Sequence, residues 1–380
     1  MKQLQRLNFA LALSVAALLS SSALAADTVE TKKVAVQVET IATGLEHPWA
    51  VAVLPDGAYL VTERPGRMRI VRDGKASDPI SGVPKVHDAG QGGLFDVELA
   101  PDFNVSRTLY FTAATTGKGG SGTEAFRAKL STDGTKLEDV TSIFRMNRYT
   151  SGNIQYGSRI AIAPDGSLFV SIGDRGDRDR SQDWKDDAGA IIHINADGTI
   201  PADNPFKDGS KALPEIWSKG HRNPQGITFD GADGKLYTVE HGARGGDEIN
   251  LIEPGKNYGW PIITYGRDYS GAEIGEGTSK QGLEQPLYYW DPSIAPGAVA
   301  IYRGKMFPEW EGDFLVAALK FQLLSRMQRD TEGAFVAEER MFDGAYGRMR
   351  DVVVAPDGAL LIVTDEDDGT LLRVSRAPTG

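Results

Sequence analysis

The segment "APDGALLIVTDEDDGTLLRVSR", from Ala355 to Arg376, carries the pattern that decides the fold. A Pro-Asp-Gly turn precedes a run of β-forming residues, and a second glycine-containing turn precedes another such run. Asp-Gly pairs supply the left-handed residue that a tight hairpin requires, and short runs of Val, Leu and Ile between turns indicate strands. The segment therefore predicts an antiparallel pair of strands.

Five imperfect copies of this pattern precede it along the chain. They are "LPDGAYLVTERPGRMRIVRDG" from Leu54, "APDFNVSRTLYFTAATTG" from Ala100, "APDGSLFVSIGDRG" from Ala163, "DGADGKLYTVEHG" from Asp230 and "FPEWEGDFLVAALKFQLLSRMQRD" from Phe307. The copies begin roughly 45 to 80 residues apart, with almost no helical periodicity between them. Such repeats predict an all-β fold, a six-bladed β-propeller, whose radial packing leaves only short, protected edges. A β-sandwich or two smaller β domains are the alternatives.

Residues 1–25 have the features of a secretory signal peptide. Lys2 and Arg6 precede an apolar run from Phe9 to Leu19, and the small-residue pattern Ala23-Leu24-Ala25 follows. The apolar run is shorter than the roughly 20 residues that a membrane helix needs. We therefore expect a signal peptide over residues 1–25 and a single propeller domain over residues 26–380, exported to the periplasm and not bound to a membrane.

The net charge argues against several classes of partner. The sequence carries a formal charge of −11, and loss of the two positive charges in residues 1–25 leaves −13. Such a chain binds nucleic acid or anionic lipid poorly. The sequence has no cysteine, so any redox chemistry must come from a cofactor.

Polar and basic residues lie at the ends of the repeats, where loops on a rigid scaffold concentrate binding groups. They are Gln91 in "GQGGLFDVELAPDF", Arg222 and Asn223 in "GHRNPQG", Lys320 in "VAALKFQLLSRM", and Arg348 with Arg350 in "GRMRDVVVAPDG". Residues two apart on a strand point to the same face, so Arg348 and Arg350 repel each other unless an anion lies between them. A solvated strand face with carboxylate partners is the alternative interpretation.

The segment "VEHGARGGDEINLIEPGKNYGWP", Val239 to Pro261, suggests a cation site. It combines a glycine-rich loop with the pair Asp247 and Glu248. Calcium takes carboxylate and backbone carbonyl oxygens in flexible geometry. An exposed acidic turn is the alternative.

Several of these segments together resemble one known family. They are "GQGGLFDVELAPDF", "GSRIAIAPDGSLFVSIGDRG", "GHRNPQG", "GGDEINLI" with "NYGWP", and "RMRDVVVAPDG". The sequence is similar to the soluble quinoprotein sugar dehydrogenases, the glucose/sorbosone or aldose sugar dehydrogenase family, from about Val38 to Val374. The resemblance implies a six-bladed propeller that binds pyrroloquinoline quinone (PQQ) and calcium. It also implies oxidation of a sugar's anomeric hydroxyl to a lactone, with electrons passed to an external acceptor.

By position, the resemblance assigns the cofactor contacts. They are Gln91, Arg222, Asn223, Lys320, Arg348 and Arg350 for PQQ, the carbonyls of Gly242 and Ala243 for the accompanying calcium, and Asp247, Glu248 and the Tyr258 carbonyl for a second, structural calcium. PQQ is a flat ortho-quinone with three carboxylates, and guanidinium groups bind carboxylates in bidentate fashion. The turn "GHRNPQG" would thus present Arg222 and Asn223 to the quinone.

The sequence departs from the family at the catalytic base. The family places a histidine four residues before the arginine of the segment that reads "NIQYGSR" here, and this chain has Gln155 at that position. Histidine, with a pKa near 6.5, can accept the sugar's hydroxyl proton, whereas glutamine can only orient it by hydrogen bonds. Of the five histidines, His221 and His241 flank the expected cofactor loops and are the possible substitutes.

Three functions remain open from the sequence. The first is a PQQ-dependent aldose dehydrogenase, acting as a monomer or a homodimer. The second is a propeller that binds PQQ and calcium without turnover, because of Gln155. The third, a calcium-dependent lactonase, requires a carboxylate-rich metal centre on the propeller axis, and the basic residues argue against it.

Overall fold

The computed structural model describes residues 26–378, so the predicted signal peptide lies outside the described residues. The chain forms six antiparallel sheets. The innermost strands of these sheets contact one another in a closed ring, each touching the next. This arrangement is a six-bladed β-propeller, as the repeats predicted, and it excludes a sandwich or two separate β domains.

The strands follow one another blade by blade. The first two, β1 (Ala26–Glu30) and β2 (Ala35–Leu45), join the last blade. Blade 1 contains β3 (Pro48–Val53), β4 (Tyr59–Glu63), β5 (Arg67–Arg72) and β6 (Lys75–Ala76). Blade 2 contains β7 (Leu94–Leu99), β8 (Thr108–Gly117), β9 (Gly120–Leu130) and β10 (Leu137–Arg145). Blade 3 contains β11 (Gly157–Ile162), β12 (Leu168–Ile172), β13 (Ala190–Ile194) and β14 (Ile216–Lys219).

The second half of the ring has the same order. Blade 4 contains β15 (Pro224–Phe229), β16 (Leu236–Glu240), β17 (Asp247–Ile252) and β18 (Tyr288–Trp290). Blade 5 contains β19 (Pro296–Ile301), β20 (Phe314–Ala318), β21 (Leu323–Arg329) and β22 (Phe335–Met341). Blade 6 contains β23 (Met349–Val354), β24 (Leu360–Thr364) and β25 (Gly369–Arg376), followed by β2 and β1 at its outer edge. One α-turn, α1 (Phe103–Ser106), and two 3-10 turns, Arg178–Gln182 and Pro308–Trp310, lie in the connections.

Each sequence repeat forms the same part of its blade. Its Pro-Asp-Gly-like turn follows the innermost strand, and its first β run is the second strand, as in β4, β12 and β24. All six copies therefore correspond to six blades. The turns lie at the end of the disc where the innermost strands stop, which we call the lower face. The upper face is the end at which those strands begin.

The hydrophobic cores lie between neighbouring blades. On β20, Phe314 packs towards blade 4 and Leu315 towards blade 6. On β24, Leu360 packs towards blade 5 and Leu361 towards blade 1. Because successive side chains of a strand point to opposite faces, a sheet covered on both faces needs apolar residues at every position. This explains the continuous apolar runs in the repeats.

The ring is closed by pairing the N-terminal strand with the last strand. In blade 6, β2 pairs antiparallel with β25, with Val38 opposite Val374. The strand β1 then pairs with β2, as in the register of Val29 and Val36. One sheet thus combines segments from both halves of the sequence.

Arg159 of β11 connects all six blades at the axis. Its guanidinium donates to Oδ1 of Asp96 in blade 2 and to Oδ1 of Asp351 in blade 6, both at 3.0 Å. It also donates to the carbonyls of Gln225 in blade 4, at 3.0 Å, and of Gly297 in blade 5, at 2.9 Å. Finally, it lies 4.1 Å from the centre of the Trp49 ring in blade 1. A channel continues along the axis on the lower side of Arg159. In that channel, burial raises the pKa of Asp96 to about 6, against the opposing charge of Arg159.

No helix within residues 26–378 has the length and apolar character needed to cross a membrane.

Candidate functional site

A cleft opens at the upper face, above Arg159. It is lined by Trp49, Arg64, Gln91, Phe95, Tyr156, Asn223, Gln225, His241, Ala295, Leu319, Arg348, Arg350 and Asp365. Most of these residues occupy one of two positions in a blade. They lie just before or at the start of an innermost strand, as Asn223 does before β15, or directly after a second strand, as Asp365 does after β24. The fold itself thus brings them to one place.

The floor of the cleft is aromatic. The rings of Trp49 and Phe95 are 5.5 Å apart, and so are those of Phe95 and Tyr156. The guanidinium of Arg350 lies 5.7 Å from the centre of the Trp49 ring. These three buried rings give the cleft flat apolar surfaces beneath a charged rim, which suits a flat ligand bearing charges at its edge.

Arg348 and Arg350 both line this cleft, as their spacing predicted, although β23 has a register shift between Met349 and Asp351. Arg350 is buried and donates to Gln225 Oε1 and to Asp365 Oδ2, both at 2.6 Å. Its Nε is buried without a partner. Burial alone would raise the pKa of Asp365, but Arg350 and the hydrogen bond from His47 hold it well below its ordinary value. Asp365 is therefore ionised and neutralises one arginine of the cleft.

The two predicted amide contacts have donors available. Oε1 of Gln91 accepts the backbone N–H of Gln155 at 2.7 Å, which leaves its Nε2 to donate. Oδ1 of Asn223 accepts the N–H of Gly157 at 3.1 Å, and its Nδ2 is likewise left to donate. Both amides can therefore hydrogen-bond an anion or a carbonyl in the cleft.

Arg222 lies in an adjacent pocket rather than on the cleft wall. Its Nη1 donates to the carbonyls of His241 at 3.2 Å and Gly242 at 2.7 Å, and its guanidinium lies 5.3 Å from the Trp260 ring. Its Nε is buried without a partner. His241 lines both spaces and separates Arg222 from Arg350.

Three of the five predicted calcium ligands, Gly242, Glu248 and Tyr258, line this second pocket, and Ala243 and Asp247 adjoin them in the chain. The carbonyl of Gly242 accepts from Arg222, and that of Ala243 accepts from the Arg267 N–H at 2.8 Å. A carbonyl oxygen has two lone pairs, so each can still bind a cation.

The carboxylates of this pocket differ in what they already bind. Asp247 is buried and accepts hydrogen bonds from Gly242 N, Ser293 Oγ and Ala295 N, each at 2.8 Å. It therefore braces the loop. Burial and the nearby Glu240 raise the pKa of Glu248 to about 8, and the buried Oδ1 of Asn250 beside them has no partner. Nδ2 of Asn250 donates to Glu240 Oε1 and to Glu248 Oε2, both at 3.1 Å, so the carboxylates rather than the amide oxygen offer ligands for calcium here.

Besides Arg222, the predicted site residues Lys320 and Gln155 do not line the cleft among the residues described. Lys320 is exposed, and its ammonium lies 5.1 Å from the Phe321 ring. Gln155 is buried in a left-handed conformation with φ of 55°. Its side chain lies beside Gly176, and Tyr156 takes the place on the cleft wall.

The two histidines considered as substitutes for the catalytic base, His221 and His241, have different environments. His221 is fully buried, with Nδ1 at 3.0 Å from Glu240 and Nε2 at 2.9 Å from Ser218 Oγ, so both ring nitrogens are engaged. His241 lines the cleft and donates from Nε2 to the Pro296 carbonyl at 2.9 Å. Burial, Arg222 and Arg350 lower the pKa of His241 to about 3, so it is neutral near pH 7.

The axial metal centre that a lactonase requires is not formed. The guanidinium of Arg159 occupies the space between Asp96 and Asp351. Across residues 26–378, no group of three or more His, Cys, Asp or Glu side chains could hold a metal ion. The axis of this propeller is a structural ion-pair network.

Sequence reasoning missed Trp49, Arg64, Gln225 and Asp365, which also line the cleft. For Arg64 and Asp365 a signal was present, since each directly follows the second strand of its repeat, as His241 does. Comparing the repeats at that position would have identified them. Trp49 and Gln225 lie inside strand patterns and show no such signal.

Comparison with known proteins agrees with this geometry. A family model described as Glucose / Sorbosone dehydrogenase matches residues 45–373. The aldose sugar dehydrogenase YliI of Escherichia coli (strain K12) is 42% identical over 347 residues, covering 90% of this chain and 93% of the relative.

Solved structures give the same result. The apo form of the soluble aldose sugar dehydrogenase from Escherichia coli is 40% identical, with a TM-score of 0.87 over 90% of this chain and 100% of that chain. The PQQ-bound form of aldose sugar dehydrogenase from Streptomyces coelicolor is 29% identical, with a TM-score of 0.73 over 90% of this chain and 98% of that chain. The six blades, the basic cleft and these matches together show that the chain belongs to the glucose/sorbosone dehydrogenase family.

Proposed function

We propose that this protein is a PQQ-dependent sugar dehydrogenase that oxidises the anomeric hydroxyl of an aldose to a lactone. The observation that carries the proposal is the cleft itself. Three arginines and a single carboxylate surround an aromatic floor in a chain whose net charge is −11. A positive pocket in an acidic protein selects an anionic ligand.

The cleft residues fit PQQ by their chemistry. Arg350 has a buried Nε without an acceptor, and a ligand carboxylate would supply one. The side chain of Arg348 makes no ion pair among residues 26–378, and its one hydrogen bond there is a long one to the Leu319 carbonyl, 3.4 Å. Gln91 and Asn223 offer amide donors, and the rings of the floor offer flat contact. These residues would hold the cofactor, with Arg222 approaching it from the neighbouring pocket.

Calcium would bind where the second pocket offers oxygen ligands. The carbonyls of Gly242 and Ala243 would hold the ion that accompanies the cofactor, and Glu248 with the Tyr258 carbonyl would hold a structural ion. Asp247 orients the Gly242 backbone through its hydrogen bond. When bound, PQQ supplies the hydride acceptor, and calcium polarises its quinone carbonyl as a Lewis acid.

Gln155 supports a second candidate, a propeller that binds PQQ and calcium with little turnover. Gln155 cannot accept the sugar's hydroxyl proton, and its side chain does not reach the cleft wall. Loss of a positioned base typically costs about 10²- to 10⁴-fold in rate. The dehydrogenase remains the leading proposal, because the arginine cleft and the calcium donors are retained.

We propose the same environment for the protein as the sequence suggested. The chain would be exported to the periplasm after cleavage of residues 1–25 and would work as a monomer or a homodimer. It would pass electrons to an external acceptor and would not bind nucleic acid or a membrane.

Reconstitution tests the proposal. Apoprotein is titrated with PQQ in calcium or in excess chelator, and binding is followed by the cofactor's absorbance. We expect binding only with calcium, because calcium and the arginines together offset three carboxylates. Reduction of an artificial dye is then screened against aldoses. Equal binding in chelator would overturn the calcium requirement, and PQQ binding without dye reduction would favour the silent propeller.

A further inference from the structure

The cleft contains an arginine that the family resemblance does not assign. Arg64 directly follows β4 and lines the cleft with Arg348 and Arg350. Its Nη1 donates to the Gly90 carbonyl at 3.1 Å, while its Nε is buried without a hydrogen-bond partner. None of the ion pairs formed within residues 26–378 includes Arg64. The charge of Arg64 helps to lower the pKa of Asp365, but the two side chains form no ion pair, so Arg64 keeps an unused donor at this wall.

The free edge of Arg64 has the shape of a carboxylate-binding fork. With Nη1 committed to Gly90, the side-on edge formed by Nε and Nη2 remains. Two parallel N–H groups on such an edge match the two oxygens of a carboxylate. An unsatisfied buried donor is costly, so an anion placed there gains more than it would at an exposed arginine.

The charged groups of the cleft do not already occupy the Nε–Nη2 edge of Arg64. Its one carboxylate, Asp365, is committed to Arg350 and His47. The other two basic residues assigned to PQQ lie elsewhere: Arg222 in the adjacent pocket and Lys320 at the surface. On the cleft wall itself, Arg348 and Arg350 would leave one of the three PQQ carboxylates without a guanidinium, since Arg222 approaches from the adjacent pocket.

We propose that Arg64 binds a carboxylate of the bound anionic cofactor, as the third guanidinium of the cleft. The inference rests on the proposed PQQ-dependent function. The same side chain also supports the turn that carries Gln91, since it bonds to Gly90. Arg64 thus contributes a direct contact and holds its neighbour in position.

Affinity for PQQ, rather than activity, tests the proposal. Wild type, Arg64→Gln, Arg64→Lys and the control Arg72→Gln are titrated with PQQ in calcium, and melting curves confirm folding. Arg72 belongs to an exposed pair with Asp56 on the same blade, and such pairs contribute little. We expect Arg64→Gln to bind on the order of 10- to 100-fold more weakly, Arg64→Lys to bind several-fold more weakly, and the control to match wild type.

The possible outcomes are distinct. A wild type that does not bind PQQ in calcium overturns the proposed function. A wild type that binds while Arg64→Gln binds equally well overturns the role of Arg64. If Arg64→Gln does not fold, Arg64→Lys decides, because it keeps a donor for Gly90 but lacks the fork. Wild-type affinity in that variant overturns the inference.

A double-mutant cycle separates the direct contact from support of the turn. If Arg64 contacts the cofactor and also supports Gln91, Arg64→Gln still weakens binding in the Gln91→Ala background, by a smaller factor than in wild type. If the loss disappears in the Gln91→Ala background, Arg64 acts only by positioning Gln91, and the direct contact is overturned.

Discussion

Replacing Arg159 with methionine tests whether one side chain stabilises the whole ring. Methionine keeps the unbranched apolar stem of the side chain, but it removes the guanidinium that lies over Trp49 and donates to Asp96, to Asp351 and to two carbonyls. Leaving one partner of a buried ion pair without the other costs about 3–5 kcal/mol. Because two carboxylates lose their partner here, we expect a loss near 5 kcal/mol at pH 8. Since whole domains are stable by only about 5–15 kcal/mol, the effect should be large.

The pH dependence of this loss is a second signature. The pKa of Asp96 is already raised to about 6, chiefly by burial, and removing Arg159 raises it further. The carboxyl group is then neutral at pH 5, so the destabilisation shrinks as the pH is lowered from 8 to 5. Adding Asp96→Asn to Arg159→Met should recover part of the loss at pH 8.

Urea unfolding followed by tryptophan fluorescence measures both effects. The midpoint of Arg159→Met is compared with wild type and with Arg72→Gln, an exposed arginine that should change stability by less than about 0.5 kcal/mol. A folded Arg159→Met that loses less than about 1 kcal/mol at pH 8, or the same amount at both pH values, would refute the network as a source of stability.

Three other substitutions test the site. Gln155→His should raise sugar oxidation by about 10²- to 10⁴-fold when the new ring turns from Gly176 into the cleft and no other group accepts the proton. Dye reduction at matched PQQ occupancy measures the rate. An unchanged rate would mean that residue 155 keeps facing Gly176, and a slower variant would mean that another base operates. Arg348→Ala should weaken PQQ binding on the order of 10- to 100-fold in absorbance titrations. Unchanged affinity would favour the alternative interpretation, in which Arg348 belongs to a solvated strand face. In chelator, the third test concerns Glu248, whose pKa is raised to about 8 in the folded protein. The favourable contribution of the protonated carboxyl group to the free energy of unfolding is fully present below its ordinary pKa and is lost as the pH rises towards 8. The melting temperature should therefore fall over this range, less steeply in Glu248→Gln, and calcium should reverse the fall in wild type only; equal slopes would contradict a coupled carboxylate.

The fold was predictable because its signal is repeated and local. Each Pro-Asp-Gly-like turn has the same place in its blade, so counting the turns counts the blades. The apolar runs could not say which blade each residue faces, since Phe314 and Leu315 are both buried but against different neighbours. That information belongs to the packing of whole sheets.

The site was predictable only in part. Arg348 and Arg350 meet in one cleft because both lie at the start of an innermost strand. Arg222 precedes the innermost strand β15 and Lys320 follows the second strand β20, the two positions that supply the cleft, yet Lys320 is exposed and Arg222 turns towards Gly242. The direction of a long side chain at a loop depends on nearby carbonyls and rings, which a sequence pattern does not specify.

The pairing of β2 with β25 has a consequence for how the protein is made. During synthesis, the strand that contains Val38 leaves the ribosome early, but it cannot pair until the strand that contains Val374 has also been made. Until then the two cores on either side of blade 6 cannot form, and blades 1 and 5 expose their apolar side faces. Exposed apolar surface of this kind makes an unfinished ring prone to aggregate. A nascent chain interrupted before Gly369 would therefore lack a closed ring, rather than a dispensable tail.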